Sequence, residues 1–339
     1  MHIFHHIPLY ILFAVVTPSL ISAALMLPFT ASALSNGNNT LVTSPTVGAV
    51  DERFKVVPTF DGPRLPVISC LMNIVKSLEA LAYMDFSGYM QEERWSLSDH
   101  REVSIIISPE ASESTMGRRY AVWGLQQAAT TMIDLERFQS VRLSLLYDEV
   151  EVGTIKIGFR PRPGKPGVTI ASSAANNTQA LSQQRNVTFL NDTASTSENQ
   201  ENGNPIQAKG DKGLKVLATL TGSTVAPWDV FLLIIGVIAE AAELEYDERL
   251  HSYVSSRTIP RVEITFMEAT PPRTTPPFLE AHWLIEAMAM IPDWVIRKGV
   301  FNEALLILEV NGVDVASGFL GTKDAAAGLS PANSNISVS

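Results

Sequence analysis

Few residues of this 339-residue chain are spaced for chemistry, and the best placed pair is His282 with Glu286. Four positions apart on a helix, they share a face, so imidazole and carboxylate could work as general acid and base. The same pair could equally be a solvated polar face. Glu280 stands two positions from His282 and faces another direction, so that helix presents no metal-ligating set. Trp123 and Trp283 each lie one position off the apolar stripe of a helix. An indole there could line a ligand cavity between helix and sheet, or anchor a core or interface. Arg101 and Arg261 each open an alternating strand and could bind a carboxylate or cap a sheet edge.

Other chemistries lack their residues. The sequence has no G-x-S-x-G elbow and no Cys–His signature for a nucleophile. It has no H-E-x-x-H, no cysteine pair and no EF-hand loop for a metal. It has no Walker loop and no G-x-G-x-x-G for a nucleotide, so no cofactor is expected. The net charge of -10 repels phosphate backbones and argues against nucleic acid. Cys70 is the sole cysteine, so no internal disulfide is possible; on an apolar helix it reads as a small buried hydrophobe.

The elements that must position these residues follow a repeat. Phe54-Lys55-Val56-Val57-Pro58-Thr59-Phe60-Asp61-Gly62 recurs 160 residues later as Leu214-Lys215-Val216-Leu217-Ala218-Thr219-Leu220-Thr221-Gly222. The same offset carries Ala121 to Ala281, Trp123 to Trp283, Gly158-Phe159 to Gly318-Phe319, and sets Val122 opposite His282. Each copy reads as a strand, a long apolar helix with a polar continuation to Trp95 or Tyr253, an alternating strand, a second helix and a hairpin. In the second copy Pro276-Pro277 is expected to begin the second helix and Pro292 to end it. Asn311-Gly312 marks the hairpin turn and locates its counterpart at Asp148-Glu149. The expected fold is α+β: two tandem β-α-β-α-β-β modules, residues 54–160 and 214–320, each a sheet with helices on one face. The apolar run Phe231–Ala239 is too short to span a bilayer and reads as a core helix.

Residues 1–33 resemble a secretory signal peptide, with Ala31-Ser32-Ala33 as a cleavage site; an uncleaved signal anchor is the alternative. A polar leader fills 34–53, a Ser/Thr/Asn-rich linker read as disordered fills 161–213, and a polar tail fills 321–339. Asn38, Asn176, Asn186, Asn191 and Asn335 begin N-x-[ST] triplets, expected glycosylation sites outside both modules. After signal removal no membrane span is expected.

The Gly-Leu after Trp123 and the later F…L-x-L-L…V-x-V-G-x-x-x-I-G-F run resemble uncharacterised secreted tandem-module proteins of filamentous fungi. The resemblance implies a fungal secretory origin, with secondary metabolism as a context, and transfers no residue roles. The leading expectation is a secreted protein that binds a small apolar or amphipathic molecule, or a protein partner, at a module or inter-module pocket. The alternatives are a cofactor-independent cyclase or isomerase using His282 and Glu286, and an interaction protein pairing through sheet edges.

Overall fold

A computed structural model describes residues 50–160, 206–209, 213–255, 262–269, 272–298 and 301–322. The chain is α+β, with antiparallel sheets and helices. In the first half, β1 (Phe54–Arg64) leads to α1 (Val67–Ala82), then β2 (Tyr89–Met90), β3 (Glu93–Trp95) and β4 (Val103–Pro109). β5 (Met116–Gly117), α2 (Arg118–Asp134), β6 (Gln139–Tyr147) and β7 (Val150–Phe159) follow. The second half contains β8 (Ile206–Lys209), β9 (Leu214–Thr224), α3 (Pro227–Ala241), β10 (Ser252–Val254), β11 (Val262–Glu268), α4 (Ala281–Lys298), β12 (Asn302–Val310) and β13 (Val313–Thr322).

One sheet runs β1-β6-β7-β4-β3 and the other β8-β9-β12-β13-β11-β10, so the five main strands have the same order in both. β2 and β5 form a separate two-stranded ribbon. The helices pack against their own sheets, and α1 also meets α3 and α4 while α2 meets α3, so a helical layer lies between the sheets. The core follows the periodicities: Leu71, Ile74, Leu78 and Leu81 on α1 and Ile105, Ile107, Leu143 and Leu145 on the strands are almost fully buried. Both hairpins turn on two residues of positive φ, Asp148-Glu149 and Asn311-Gly312.

Four expectations are corrected. The polar continuation after each first helix is turn and irregular chain that ends in a short strand, not helix: α1 ends at Ala82, and the Asp85 carboxylate accepts from the Ser87 amide (2.9 Å) and hydroxyl (2.7 Å), closing a local turn. Its partners β3 and β10 pair with β4 and β11. α4 starts at Ala281, past Pro276-Pro277, and passes through Pro292 to Lys298. Burial of Ile291 and Val295 on either side of the proline carries the helix beyond the hydrogen bond it cannot make. Ile206–Lys209, assigned to the disordered linker, are strand β8 along β9. The rest of that linker lies outside the described residues, as do residues 1–33, most of the leader and most of the tail.

The fourth correction concerns the register between halves. Phe54 pairs with Tyr147 and Leu214 with Val310, while Arg142 pairs with Lys156 and Leu305 with Phe319. The first strands thus correspond at an offset of 160 (214 − 54) and the hairpins at 163 (310 − 147). The second helices share the larger offset: Arg118 N–H donates to Gly88 O at 2.9 Å and Ala281 N–H to Glu248 O at 3.0 Å. Gly158 therefore corresponds to Gly321, not Gly318; Trp123 to Glu286; Tyr120 to Trp283; and Arg119, not Val122, to His282. The slip has two parts: β4 and β11 correspond at 159 (262 − 103), one less than the first strands, and the loop that follows them then adds four. Glu110 N–H bonds Val152 O and Ala269 N–H bonds Val315 O, but ten positions separate Ala269 from Leu279 where six separate Glu110 from Met116 (279 − 269 against 116 − 110).

Candidate functional site

The loop where the halves differ borders an open groove of about 530 Å³ in the first half. Pro109 ends β4, and the chain turns at once: Glu113 N–H donates to Glu110 O at 2.9 Å, and the Glu110 carboxylate accepts from the Ser112 amide at 2.7 Å and from the Ser112 hydroxyl. Those two donors from Ser112 hold the Glu110 carboxyl below its ordinary range, so it is charged at neutral pH. The β2–β5 ribbon supplies Tyr89, Met116 and Gly117, and the start of β7 supplies Val150, Glu151 and Val152. Tyr120, in the first turn of α2, completes the wall. The groove is thus lined by two phenols, apolar side chains and three carboxylates, Glu110, Glu113 and Glu151, with no cationic side chain.

Tyr120 connects the groove to an aromatic cluster. Its ring stacks on Phe54 at 5.8 Å, meets Tyr147 at 5.3 Å and stands edge-on to Trp123 at 6.1 Å. Arg119 lies over Tyr120 at 5.0 Å and donates to its hydroxyl at 3.1 Å; Arg53 lies over Tyr147 at 4.6 Å. Trp123, predicted to line a cavity, is buried one ring behind the groove, against Phe54 and Phe86. Its indole N–H donates to Glu243 of the second half at 3.3 Å.

The second half fills the corresponding place. Arg249 stands where Tyr89 stands in the first half. Its guanidinium covers the Phe278 ring at 3.8 Å, donates through Nε to Glu268 at 3.1 Å, and bonds Arg273 O at 3.0 Å. His251 meets the same Glu268 carboxylate at 3.0 Å. Burial pushes the Glu268 carboxyl up, but the hydrogen bonds from His251 and Arg249 and their charge outweigh it, and the group stays ionised. The longer loop thus closes on Arg249 where the shorter one leaves an opening.

His282 and Glu286 are both buried on α4. The His282 ring stacks on Tyr246 at 4.5 Å and 4° and touches Trp283 at 4.1 Å. Its Nδ1–H donates to Tyr246 O at 3.0 Å, its backbone N–H reaches the same carbonyl at 3.2 Å, and Glu280 stands 3.4 Å from Nδ1. These contacts tie the start of α4 to the segment after α3. Trp283 is partly buried against the core. Tyr83 lies 5.9 Å from Tyr246, so the His282–Trp283 group and Trp123 both border the Glu243–Tyr246 segment. Arg101 is exposed in the turn before β4, at the opposite end of that strand from the groove, beside Glu102. Arg261 and the five sequon asparagines, Asn38, Asn176, Asn186, Asn191 and Asn335, lie outside the described residues.

Sequence reasoning missed the groove, because Tyr89, Glu110, Tyr120 and Glu151 belong to four separate elements and share no spacing. It also missed a buried serine: Ser69 Oγ lies 3.1 Å from His100 Nδ1 and donates to Glu102. The hydroxyl sits between imidazole and carboxylate, whereas a nucleophilic triad needs the imidazole in the middle. The cluster ties the turn before β4 to α1. Among the described residues no group of His, Cys, Asp and Glu is arranged to hold a metal, and no helix is long and apolar enough to cross a membrane.

Fold and site together define an α+β protein with an open, acidic, aromatic-walled groove. No protein-family model matches the chain, and no curated protein matches it. Among solved structures, it is similar to the tandem DUF26 ectodomain of the Arabidopsis thaliana cysteine-rich receptor-like protein PDLP8, at 10% identity and a TM-score of 0.21 over 79% of this chain and 97% of that one. A protein from Novosphingobium aromaticivorans, provisionally described as a thioesterase, gives 10% identity and a TM-score of 0.12 over 82% of this chain and 98% of that one. Neither similarity carries weight for fold or function.

Proposed function

We propose that this is a secreted binding protein, built from two copies of one β-α-β-α-β-β module, whose first copy takes an amphipathic, positively charged small molecule or side chain. One observation carries the reading: the groove of about 530 Å³ places Tyr89, Tyr120 and Met116 beside Glu110, Glu113 and Glu151. The exposed Tyr89 ring, the apolar wall and the three carboxylates together favour a cation with an apolar body. The open geometry suits binding rather than catalysis, which gains from a closed site that excludes water. Secretion rests on the leader-like residues 1–33 and on the sequons, and fits the fungal secreted proteins that the sequence resembles. A place in fungal secondary metabolism would make the ligand an amine-bearing metabolite.

The test is a titration of the purified protein with matched amphiphiles that are cationic, neutral or anionic, followed by calorimetry and tryptophan fluorescence. Trp123 lies one ring from the groove and should report occupancy. The cationic series should bind, and Glu110→Gln with Glu151→Gln should weaken it by about tenfold, one charge-assisted contact. Equal binding of all three series, or none by any, would refute the reading.

A further inference from the structure

We propose that the outward face of the second sheet is a self-association surface, on which a second copy of this chain packs face to face. The outer faces of the two sheets occupy equivalent positions and differ in chemistry. In the second sheet, adjacent outward rows run Leu217–Ile307–Ser317–Met267 and Thr219–Leu305–Phe319–Thr265. The matching rows of the first sheet are Val57–Ser144–Thr154–Ser108 and Thr59–Arg142–Lys156–Ile106. Leu305 thus stands where the first sheet has Arg142, Phe319 where it has Lys156, Ile307 where it has Ser144, and Met267 where it has Ser108. Both faces look away from the helical layer, so no core requirement explains the difference. Leu305 is 42% exposed, Ile307 38% and Met267 52%, whereas Phe319 is 7% exposed, its ring lying over Gly321. A contiguous apolar patch of this kind on a sheet marks an interaction site.

The sheet edges are poorer docking sites. Asp148 N–H donates to Arg53 O, so alternate β1 residues face β6, and the amide position of Pro58 falls on the free edge, where proline has no donor. Its counterpart in β9, Ala218, is covered by Ile206 of β8. β3 and β10 are three residues each. The face remains, and its size suits a second copy. Four strands, β9, β12, β13 and β11, at about 4.8 Å spacing and about seven residues of about 3.4 Å each, with the shorter β8 and β10 beside them, give a face of roughly 570 Å². Two such faces packed as a sandwich bury roughly 1,140 Å² in total, close to the lower bound of specific interfaces. At the rim Lys215 and Glu309 pair at 2.6 Å beside the patch, which leaves Glu263, opposite Gly321 on β13, as the charge that must stay at the solvated rim.

The first sheet supplies the test substitutions, since Arg and Ser already occupy the equivalent positions of a folded sheet. The full chain should sediment as a dimer at about 100 µM, and Leu305→Arg should weaken association at least about tenfold with unchanged circular dichroism. Should Leu305→Arg misfold, the milder pair Ile307→Ser with Met267→Ser keeps the measurement available. Leu305→Cys adds a thiol besides the buried Cys70 and should cross-link two chains on mild oxidation. A monomeric wild type at that concentration overturns the proposal. So does a dimer indifferent to these substitutions, a monomer whose Cys at position 305 resists thiol reagents because another segment of the chain covers it, or a monomer that binds lipid vesicles through this face. The substitutions lie in the second sheet, so amphiphile titration of the groove reports on that site independently.

Discussion

The indole N–H of Trp123 donates to Glu243 Oε1 at 3.3 Å, joining α2 of the first half to the end of α3 in the second. In the register set by the strands, Glu286 occupies the place of Trp123, and Tyr83 that of Glu243. The residue types at these corresponding positions are exchanged: an indole and a carboxylate at Trp123 and Glu243, a carboxylate and a phenol at Glu286 and Tyr83. At Trp123 and Glu243 the halves are therefore held by a polar pair set into an apolar helical layer.

Trp123→Phe keeps most of the packing and removes the indole donor. It should cost about 0.5–1.5 kcal/mol in urea unfolding, whereas Trp123→Ala should cost about 3–5 kcal/mol. A double-mutant cycle of Tyr83→Phe with Glu286→Gln should show a coupling of about 0.5–1.5 kcal/mol, as expected for a matching second junction. Zero coupling would mean that the exchanged pair does not act as a unit.

His282 holds the start of α4 against Tyr246, so its replacement should show in stability. His282→Ala removes the ring stack and the bond to Tyr246 O and should cost about 1–3 kcal/mol by denaturant titration. Binding of cationic amphiphiles in the first-half groove should stay within about twofold of wild type.

Glu303 and Glu268 make stability fall in acid. The Thr322 hydroxyl donates to Glu303 at 2.6 Å, and the amides of Thr322 and Ser223 add bonds at 3.1 Å each, holding this buried carboxyl below its ordinary range. A lowered folded-state pKa contributes stability that is present above the unfolded value of about 4.3 and lost as pH falls through the folded value. Glu268, also lowered, acts in the same direction. Thermal unfolding from pH about 6 down to about 2 should show a steep loss, and Glu303→Gln should flatten it while lowering stability near neutrality. An unchanged slope in Glu303→Gln would remove Glu303 from this role.

Burial pushes the Cys70 thiol up to about 12. Cys70 lies in the core beside Met132, with its Sγ 3.8 Å from the sulfur. Ellman's reagent should therefore not react with the folded wild-type chain and should titrate one thiol in denaturant. Fast reaction in buffer would show that α1 opens locally.

The element order was legible in local pattern. Alternation at Val103, Ile105 and Ile107 and the turn at Asn311-Gly312 each report the face that a residue presents, which depends on near neighbours. The echo of Trp123 in Trp283 misled for the same reason. Identity at a fixed spacing ignores the four extra positions between Ala269 and Leu279, and only the pairing of strands distant in sequence revealed them. The groove was not legible at all, since its wall joins Tyr89, Glu110, Tyr120 and Glu151 from four elements.

By itself, then, the sequence determined an α+β chain with two similar runs of strand and helix, because hydrophobic period and turn chemistry act over a few residues. Only the tertiary structure decided which residues correspond between the halves, that one loop opens a groove while its longer counterpart closes over Arg249, and that one sheet turns an apolar face outward. Those outcomes depend on register and on contacts between distant segments, which short-range pattern does not encode.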